Sequence, residues 1–287
     1  EDNERYWMGK QYSDMMMNNS HPLMDNLIFE ALETFLPIVT KQNPEPMVQS
    51  DNTPEGIALA EKVQKMLVYL SDTLRLKLKL KRVARYWALY LLGVVKVGWS
   101  METNDITIIT VRPQKMIFDP DATIDEGEYT GSYLGEYRKE VASNLVIRFP
   151  KMKSIIEDKV KGEMGTDIQY IEWWTDEYIF WSMDNEILGK AKNPHWNYDG
   201  KKQSFDQFGQ LQVDSLPGKN HFPVKKKPYV FLSVFNIGKH PYDDTSLISQ
   251  NLALQDLVNK RLKQIDRNAD GTNGGSVVSG THFTKEQ

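Results

Sequence analysis

The feature that most constrains this chain is a long amphipathic helix predicted close to its C-terminal end. Asp243-Asp244-Thr245-Ser246 is a strong helix start, because Asp, Thr and Ser oxygens accept hydrogen bonds from the unpaired N–H groups of a first turn. Apolar residues then recur at three-, four- and seven-residue steps, which predicts one apolar stripe along the helix. The stripe consists of Leu247, Leu254, Leu257, Val258, Leu262 and Ile265.

The predicted helix covers residues 245–268 and would be roughly 36 Å long at 1.5 Å per residue. The polar, glycine-rich run from Asn268 to Gly275 predicts its end. Only a short segment follows, so the helix has no obvious partner in its own chain. We expect another copy, another protein or a missing C-terminal part to bury it. The expected subunit-packing residues are Leu254, Leu257, Val258, Leu262 and Ile265.

Positive charge is concentrated in the last turns of this helix. Lys260, Arg261, Lys263 and Arg267 lie where the helix dipole favours cations. The same side chains are suited to contacts with the phosphates of nucleic acid. Both interpretations remain open from the residues alone.

The composition limits the classes of protein to which this chain can belong. With 287 residues, 40% of them hydrophobic, the chain is long enough for one large or two ordinary domains with a real core. The absence of Cys excludes disulfides, thiolate catalysis and zinc–thiolate sites. The net charge of −4 argues against a protein that coats nucleic acid with a basic surface. The longest apolar run, Trp87 to Val95, is too short to span a bilayer.

The order of hydrophobic periods predicts an α+β fold, with helices first, antiparallel strands in the middle and the long helix last. Helices are expected after Ser20-His21-Pro22, ending at Pro37, and after Thr53-Pro54-Glu55. Alternation after Gly93 predicts strands, beginning with a hairpin. The polar stretch from Asn193 to Lys227 predicts a long loop.

A strongly basic stretch lies before these strands. Residues 74–80 alternate Leu with Lys or Arg, which suits a strand, but these residue types favour helices and none is β-branched. We therefore predict a helix with a basic face. This face is interpreted in three ways: it contacts a phosphate backbone, it contacts an acidic surface of a partner protein, or it contacts only solvent. Its residues are Arg75, Lys77, Lys79, Lys81, Arg82 and Arg85.

The sequence lacks the motifs of common catalytic sites. No glycine-rich nucleotide-binding motif, no His-Glu-x-x-His and no Gly-x-Ser-x-Gly occurs, and the five histidines are scattered. An acidic run resembles a calcium loop, but Ile124 occupies the position of the required Gly and Thr130 that of the closing Glu. We therefore predict a protein that is not an enzyme and has no catalytic residues, no metal site and no cofactor. The acidic run, expected to be a solvated turn, comprises Asp119, Asp121, Asp125, Glu126 and Glu128.

Aromatic residues cluster in two predicted strands of the middle of the chain. Trp and Tyr stack on nucleic-acid bases, but they are also good strand formers and core residues. Packing in the core or in a subunit interface is the interpretation that we favour. The cluster comprises Tyr170, Trp173, Trp174, Tyr178, Phe180 and Trp181.

Several segments, in one order over most of the chain, carry a resemblance to a known family. They are Arg5-Tyr6-Trp7-Met8-Gly9, Asn26-Leu27-Ile28-Phe29-Glu30 through Gln42-Asn43-Pro44, Leu91-Leu92-Gly93-Val94-Val95-Lys96-Val97-Gly98-Trp99, Arg112-Pro113 with Phe118-Asp119-Pro120, and Glu172-Trp173-Trp174-Thr175-Asp176-Glu177-Tyr178. The most telling order is Lys227-Pro228-Tyr229, then Pro241-Tyr242-Asp243-Asp244-Thr245-Ser246-Leu247, then the long helix ending Lys263-Gln264-Ile265-Asp266-Arg267-Asn268. In this order and spacing the chain resembles the portal proteins of tailed double-stranded DNA bacteriophages.

The resemblance implies an architecture for the chain. Residues 1–244 would form a wing domain of helices and antiparallel strands, residues 245–268 the first stem helix, and residues 269–287 the start of a clip. A second stem helix and a crown would be absent from this sequence. The missing stem helix and neighbouring subunits would then bury the apolar stripe.

The resemblance also implies a function and a set of partners. Such a protein forms a homo-oligomeric ring, usually of twelve copies, at the portal vertex of the virion, where head and tail join. The ring would assemble in the host cytoplasm within a shell of major capsid protein. Double-stranded DNA would pass through its channel during packaging and ejection. The terminase packaging motor would dock on it first, and head–tail adaptor and tail proteins later. Candidates for residues facing the channel are Lys260, Lys263 and Arg267.

Two other classes compete with this interpretation. A non-catalytic nucleic-acid-binding or protein-interaction module would use the basic face between Arg75 and Arg85 and would bind DNA in a strongly salt-dependent way. An enzyme would use the acidic turn between Asp119 and Glu128 and would bind a divalent metal.

Overall fold

The computed structural model has a mixed α+β fold with antiparallel sheets and a long C-terminal helix, which confirms the predicted class. It describes residues 2–12, 23–41, 47–100, 104–125, 127–193, 201–205, 211–215, 226–243 and 245–274. The chain divides into two compact units. We call residues 1–41 and 246–287 the terminal unit, and residues 42–245 the central unit.

The α-helices of the described part are α1 (Asp2–Trp7), α2 (Leu27–Val39), α3 (Pro54–Thr73), α4 (Leu76–Tyr90), α5 (Ala142–Arg148), α6 (Lys153–Lys159) and α7 (Leu247–Gly274). Short 3-10 turns lie at Pro113–Lys115, Pro150–Met152 and Pro241–Asp243. The strands are β1 (Gly93–Ser100), β2 (Asp105–Val111), β3 (Met116–Phe118), β4 (Ile124–Asp125), β5 (Glu128–Tyr129), β6 (Tyr133–Val141), β7 (Asp167–Thr175), β8 (Tyr178–Met183), β9 (Glu186–Lys192), β10 (Lys201–Phe205), β11 (Leu211–Ser215) and β12 (Tyr229–Leu232).

Local side-chain chemistry sets several helix ends. The Thr53 hydroxyl accepts a hydrogen bond from the Gly56 N–H at 3.0 Å, and Pro54 occupies the first turn of α3. Arg75 has a left-handed backbone with φ of 51°, so α3 and α4 are separate helices rather than one. Leu91 has a φ of 71° and ends α4 in the same way.

Two antiparallel sheets form the body of the central unit. The three-stranded sheet has the order β12-β1-β2, and the five-stranded sheet has the order β3-β6-β7-β8-β9. The predicted first hairpin is confirmed, since Ser100 pairs with Asp105. β4 pairs with β5, and β10 pairs with β11, as two-stranded ribbons.

Both larger sheets contribute to one apolar core, and a second core packs α5 and α6 on the five-stranded sheet. The first contains Val94 and Val111 of the three-stranded sheet together with Leu134 and Trp174 of the five-stranded sheet. The second is formed by Leu145, Ile156, Ile168, Tyr170 and Met183, among others. Burial of these side chains is the main stabilising contribution to the unit.

Three predicted element boundaries are wrong. α2 begins at Leu27, after the Asn26 cap, and ends at Val39 rather than at Pro37. Pro37 lacks only its own N–H, and the Thr40 N–H still bonds to the Leu36 carbonyl at 3.0 Å, so the last turn is completed. The predicted start of this helix, residues 20–22, lies outside the described residues.

The other two corrections concern a loop and the last helix. Part of the predicted loop from residue 193 to 227 is the β10–β11 hairpin. Its two five-residue strands lie in a stretch rich in polar residues, where any apolar alternation is too short to predict a strand. α7 ends at Gly274 instead of residue 268, because an isolated Gly such as Gly271 costs only about 1 kcal/mol in a helix. The Thr272 hydroxyl also donates to the Asn268 carbonyl within the extra turns.

Candidate functional site

The strongest candidate site is the surface of α7 in the terminal unit. Its predicted start is confirmed: the Ser246 side chain is buried and accepts a hydrogen bond from the Ser249 N–H at 2.9 Å. The side chain of Asn3 in α1 donates to the same hydroxyl oxygen at 2.9 Å. At 1.5 Å per residue, α7 is roughly 42 Å long, so most of it extends beyond this capped end.

The face that α7 buries in its own unit is largely polar. Gln255 accepts a hydrogen bond from the Ile28 N–H at 3.2 Å and donates to the Asp25 carbonyl at 2.6 Å. Gln255 also donates to Asn259 at 3.1 Å, and Asn259 donates to Gln11. Ile28 lies in the first turn of α2, where backbone N–H groups have no hydrogen-bond partner within the helix. The Gln255 side chain supplies the acceptor for the Ile28 N–H. The prediction that α7 has no partner in its own chain is therefore wrong, because α1 and α2 pack against it.

A second contact strengthens this packing at the helix surface. The Tyr6 hydroxyl donates to the Asp256 carboxylate at 2.6 Å. This hydrogen bond, together with partial burial, raises the pKa of Tyr6 to about 12. Tyr6 therefore remains a hydrogen-bond donor at neutral pH.

The predicted apolar stripe is a different face of the same helix, and most of it is uncovered in the described part of the chain. Leu254, Leu257 and Ile265 are 58%, 49% and 63% exposed. Val258 and Leu262 are half-buried, at the border of the face that packs on α2. At about 100° per residue, Leu254 and Ile265 lie about 20° apart on the helix circumference. Arg261, four residues after Leu257 and four before Ile265, lies in the same arc. The stripe is therefore apolar with one cation in it, and the described residues of the terminal unit leave most of it uncovered.

An apolar groove runs beside this stripe between α2 and α7. Its volume is about 140 Å³. Leu27, Ala31 and Leu32 form one wall, and Leu247 and Leu254 form the other. Apolar side chains from a partner helix would fill such a groove with little desolvation cost.

The predicted cationic residues form a third face of α7. Lys260, Lys263 and Arg267 follow one another at three- and four-residue steps, which places them within about 60° of one another. They lie on the side of the helix away from Leu254 and Ile265. Lys260 and Arg267 are exposed and Lys263 is half-buried. Arg261 points elsewhere and donates to Gln264 at 2.9 Å.

The basic stretch between Arg75 and Arg85 is helical from Leu76, as predicted, but its cations do not share one face. Lys77, Lys81 and Arg82 lie within an arc of about 140°, whereas Lys79 is about 160° from Lys77. Arg75 precedes the helix. The predicted six-residue basic face is therefore smaller, because the alternation of Leu with cations has period two and a helix turns by 100° per residue.

The acidic run is a tight turn that begins with an internally bonded carboxylate. Asp119 accepts hydrogen bonds from the Asp121 N–H at 3.2 Å and the Ser132 N–H at 2.8 Å, and these bonds lower the pKa of its carboxyl group. Asp121 and Asp125 are exposed. Among the residues that the structure describes, no group of acidic and histidine side chains could hold a metal ion. Glu126 lies outside them.

The sequence interpretation missed a buried ionic cluster between the two larger sheets. Lys96 of β1 donates to Glu136 at 2.9 Å and also to Glu172, which lies directly opposite Glu136 on the neighbouring strand. Arg138 contacts Glu172 at 3.0 Å, and Tyr229 donates to Glu136 at 2.7 Å. The sequence contained one indication of this cluster. Lys96 and Glu172 are charged residues at inward-facing positions of strands in which buried and less buried residues alternate.

Charge neutralisation makes this burial possible. Burial opposes the ionised form of Glu172, but the charges of Lys96 and Arg138 and their hydrogen bonds hold its pKa at about 2. Burial and the nearby Glu136 raise the pKa of Tyr229 well above its ordinary value. Lys96, Glu136 and Glu172 are buried, and the Arg138 side chain is 32% exposed. These contacts join β1 of one sheet to β6 and β7 of the other.

The aromatic cluster divides between the faces of the five-stranded sheet. Tyr170 and Trp174 are buried in the two cores. Trp173 stacks on Phe180 with ring centroids 5.9 Å apart, and its indole N–H donates to Ser182 at 2.8 Å. Trp181 donates to Glu172 at 3.2 Å. These contacts are those of structural aromatics.

Comparison with known proteins adds no family: no protein-family model matches this chain, and no curated protein matches it. Within the described residues, no helix is both long and apolar enough to cross a membrane.

Proposed function

We propose that this chain is a subunit of the portal ring of a tailed double-stranded DNA bacteriophage, and that it acts without bond chemistry. The observation that carries the proposal is the exposed apolar stripe of α7, with Leu254, Leu257 and Ile265 each about half exposed or more. Isolated exposed apolar residues are ordinary, but three exposed apolar side chains along one side of a helix of this length support an interface. A stem helix packed against its neighbours in a ring needs such a stripe.

The order of segments along the chain supports the same proposal. The strands that end at Leu232 and the turn at Pro241–Asp243 precede α7, in the order expected for a wing followed by a stem helix. In this assignment α7 is the first stem helix, and residues 1–244 form the wing. The ring, of about twelve copies, would stand at the head–tail junction of the virion.

The three faces of α7 suggest how such a ring would treat DNA. The polar face is used within the subunit, the apolar face would be used between subunits, and the cationic face would remain for the channel. Three cations per subunit in a chain of net charge −4 favour weak, transient phosphate contacts. Weak contacts are needed because DNA has to slide during packaging and ejection. Terminase, adaptor and tail proteins and the major capsid protein would dock on other surfaces of the ring.

Electron-microscope class averages of the complete protein, viewed along the symmetry axis, test this proposal. We expect a ring of about twelve subunits with a central hole wide enough for duplex DNA. A monomer or dimer without a channel would overturn it. In that case the cations of α4 would favour the competing function, a nucleic-acid-binding or protein-interaction module, and its DNA affinity should fall steeply with salt.

A further inference from the structure

The central unit contains a helix that its own unit leaves largely uncovered. α3 has no buried residue along its whole length. Leu59, Met66 and Tyr69 are 62%, 52% and 66% exposed. The apolar residues that recur at three- and four-residue steps along α3 are only half-buried or exposed: Ile57, Ala60, Val63, Leu67 and Leu70. A helix owes most of its stability to packing of an apolar face, so α3 needs a partner surface.

The exposed arc of α4, which follows α3, adds positive charge to this apolar surface. It carries Lys77, Leu78, Lys81 and Arg82, and Leu78 is 62% exposed. Among the described residues, Lys77, Lys81 and Arg82 make no ion pair. A phosphate backbone would leave Leu59, Met66 and Leu78 in water, whereas a protein surface with both acidic and apolar residues would cover them. The surface therefore fits a protein better than it fits DNA.

The same unit carries a second surface with the complementary character. Asp121, in the turn between β3 and β4, and Asp125, the last residue of β4, are exposed and make no ion pair within the described residues, while Glu128 pairs with Lys226 at 3.5 Å. β5 lies against β12, the edge strand of the three-stranded sheet. Exposed Val230 on β12 and Val234 just beyond it, 57% and 56% accessible, add apolar area beside the acidic turn.

We propose that the α3–α4 surface of one copy docks on Asp121, Asp125 and the β12 edge of the next copy. The charges are opposite, and both surfaces offer apolar side chains around them. Because the two surfaces differ, the contact is heterologous, and heterologous contacts repeated by rotation close into rings. This inference rests on the proposed ring and names a contact within it that does not involve α7.

Charge reversal in the complete protein tests the pairing. Lys77→Glu/Arg82→Glu places acid against acid, and Asp121→Lys/Asp125→Lys places base against base. Each double variant should lower the fraction of subunits in rings at least about tenfold, as sedimentation and electron microscopy would measure. Combining all four substitutions restores opposite charges and should recover most of the ring yield. Lys151→Glu/Lys161→Glu, at exposed positions elsewhere in the unit, is the matched control and should assemble normally.

The outcomes separate this inference from the proposed function. If the unmodified protein forms no ring, both the proposed function and the proposed contact between copies are wrong. If rings form and the double variants assemble normally, the contact is wrong while the ring stands. Failure of the four-substitution variant to recover also overturns the pairing, provided that circular dichroism shows all variants folded. Loss of DNA binding with normal ring yield would assign the α4 cations to phosphate contact instead.

Discussion

Lys96 and Glu136 form an ion pair of 2.9 Å that joins the two larger sheets from strands far apart in the chain. Glu172 shares the same ammonium group, and Arg138 completes the charge balance. Two carboxylates directly opposite each other on adjacent strands would repel one another without Lys96. Lys96 therefore supports the packing of the two sheets, in addition to the apolar core that they share.

Replacement of this lysine should be severely destabilising. Lys96→Met leaves Glu136 and Glu172 buried with their charge only partly compensated, and we expect the free energy of unfolding to fall by about 3–5 kcal/mol. Urea denaturation followed by Trp fluorescence measures this loss. Lys151→Met, at an exposed position, is the control and should change stability by less than about 0.5 kcal/mol.

A double-mutant cycle shows whether the loss comes from the ion pair. Lys96→Met/Glu136→Gln removes one of the stranded charges, so it should cost less than the sum of the two single substitutions. Strict additivity would show that Lys96 contributes through its alkyl packing against Trp174 and Tyr229 rather than through its charge.

The acid stability of the central unit should depend on Glu172. Its pKa is about 2 in the folded chain and 4.5 ordinarily, so the ionised group stabilises the fold above the ordinary pKa. That contribution is lost as the pH falls from about 5 towards 2. A shift of this size corresponds to on the order of 3 kcal/mol.

Denaturation curves at pH 6 and at pH 2.5 test this expectation. Glu172→Gln should be less stable than the unmodified protein at pH 6, and it should lose less stability between the two pH values. An equal loss in both proteins would mean that other carboxylates govern acid unfolding.

In the terminal unit, a buried glutamine should matter more than an exposed leucine. Gln255→Ala leaves the Ile28 N–H and the Asp25 carbonyl without their partner, at a cost of about 1–3 kcal/mol. Leu257→Ala removes a half-exposed side chain and should cost less than about 1 kcal/mol in the subunit. Hydrogen exchange of the Ile28 amide in unassembled protein is the measurement, since this proton bonds to Gln255.

In ring assembly, substitutions in the apolar stripe should have a larger effect than Gln255→Ala. Leu257→Ala combined with Ile265→Ala removes apolar area that the proposed neighbours would cover, so ring yield should fall although the subunit stays folded. Fast Ile28 exchange in the leucine variant, or normal rings from the Leu257→Ala/Ile265→Ala pair, would contradict this assignment of faces.

Local patterns predicted the elements of this fold more fully than their packing. The Thr53 cap, the hairpin after Gly93 and the start of α7 follow from short-range chemistry and are confirmed. The face on which α7 packs was not predictable in this way. Apolar periodicity identified Leu254 and Leu257, whereas the docking side chains are polar and their partners lie more than 200 residues away.

The ionic cluster was missed for the same reason. Lys96 looks like one polar residue among valines, and its meaning depends on strands β6 and β7, which only the three-dimensional pairing brings together. The candidate functional residues of α7 were all named from the sequence. The sequence did not show that α7 packs on α1 and α2 through a third face, which contains Gln255 and Asn259 and is distinct from its apolar and cationic faces.

Neutralising the cationic face of α7 should affect DNA and leave the ring intact. Lys260, Lys263 and Arg267 lie on a different side of the helix from Leu254 and Ile265. Lys260→Gln/Lys263→Gln/Arg267→Gln therefore removes charge and leaves the apolar side chains of the stripe in place. Three phosphate contacts of about 0.5 kcal/mol each amount to a loss of about tenfold in DNA retention by filled particles. Lys151→Gln/Lys153→Gln/Lys161→Gln removes the same charge from exposed positions of the central unit and should retain DNA normally. If the α7 variant retains DNA normally, these cations interact only with the helix dipole. Residues that line the channel would attract the phosphates of the passing DNA, so removing their charge would change retention.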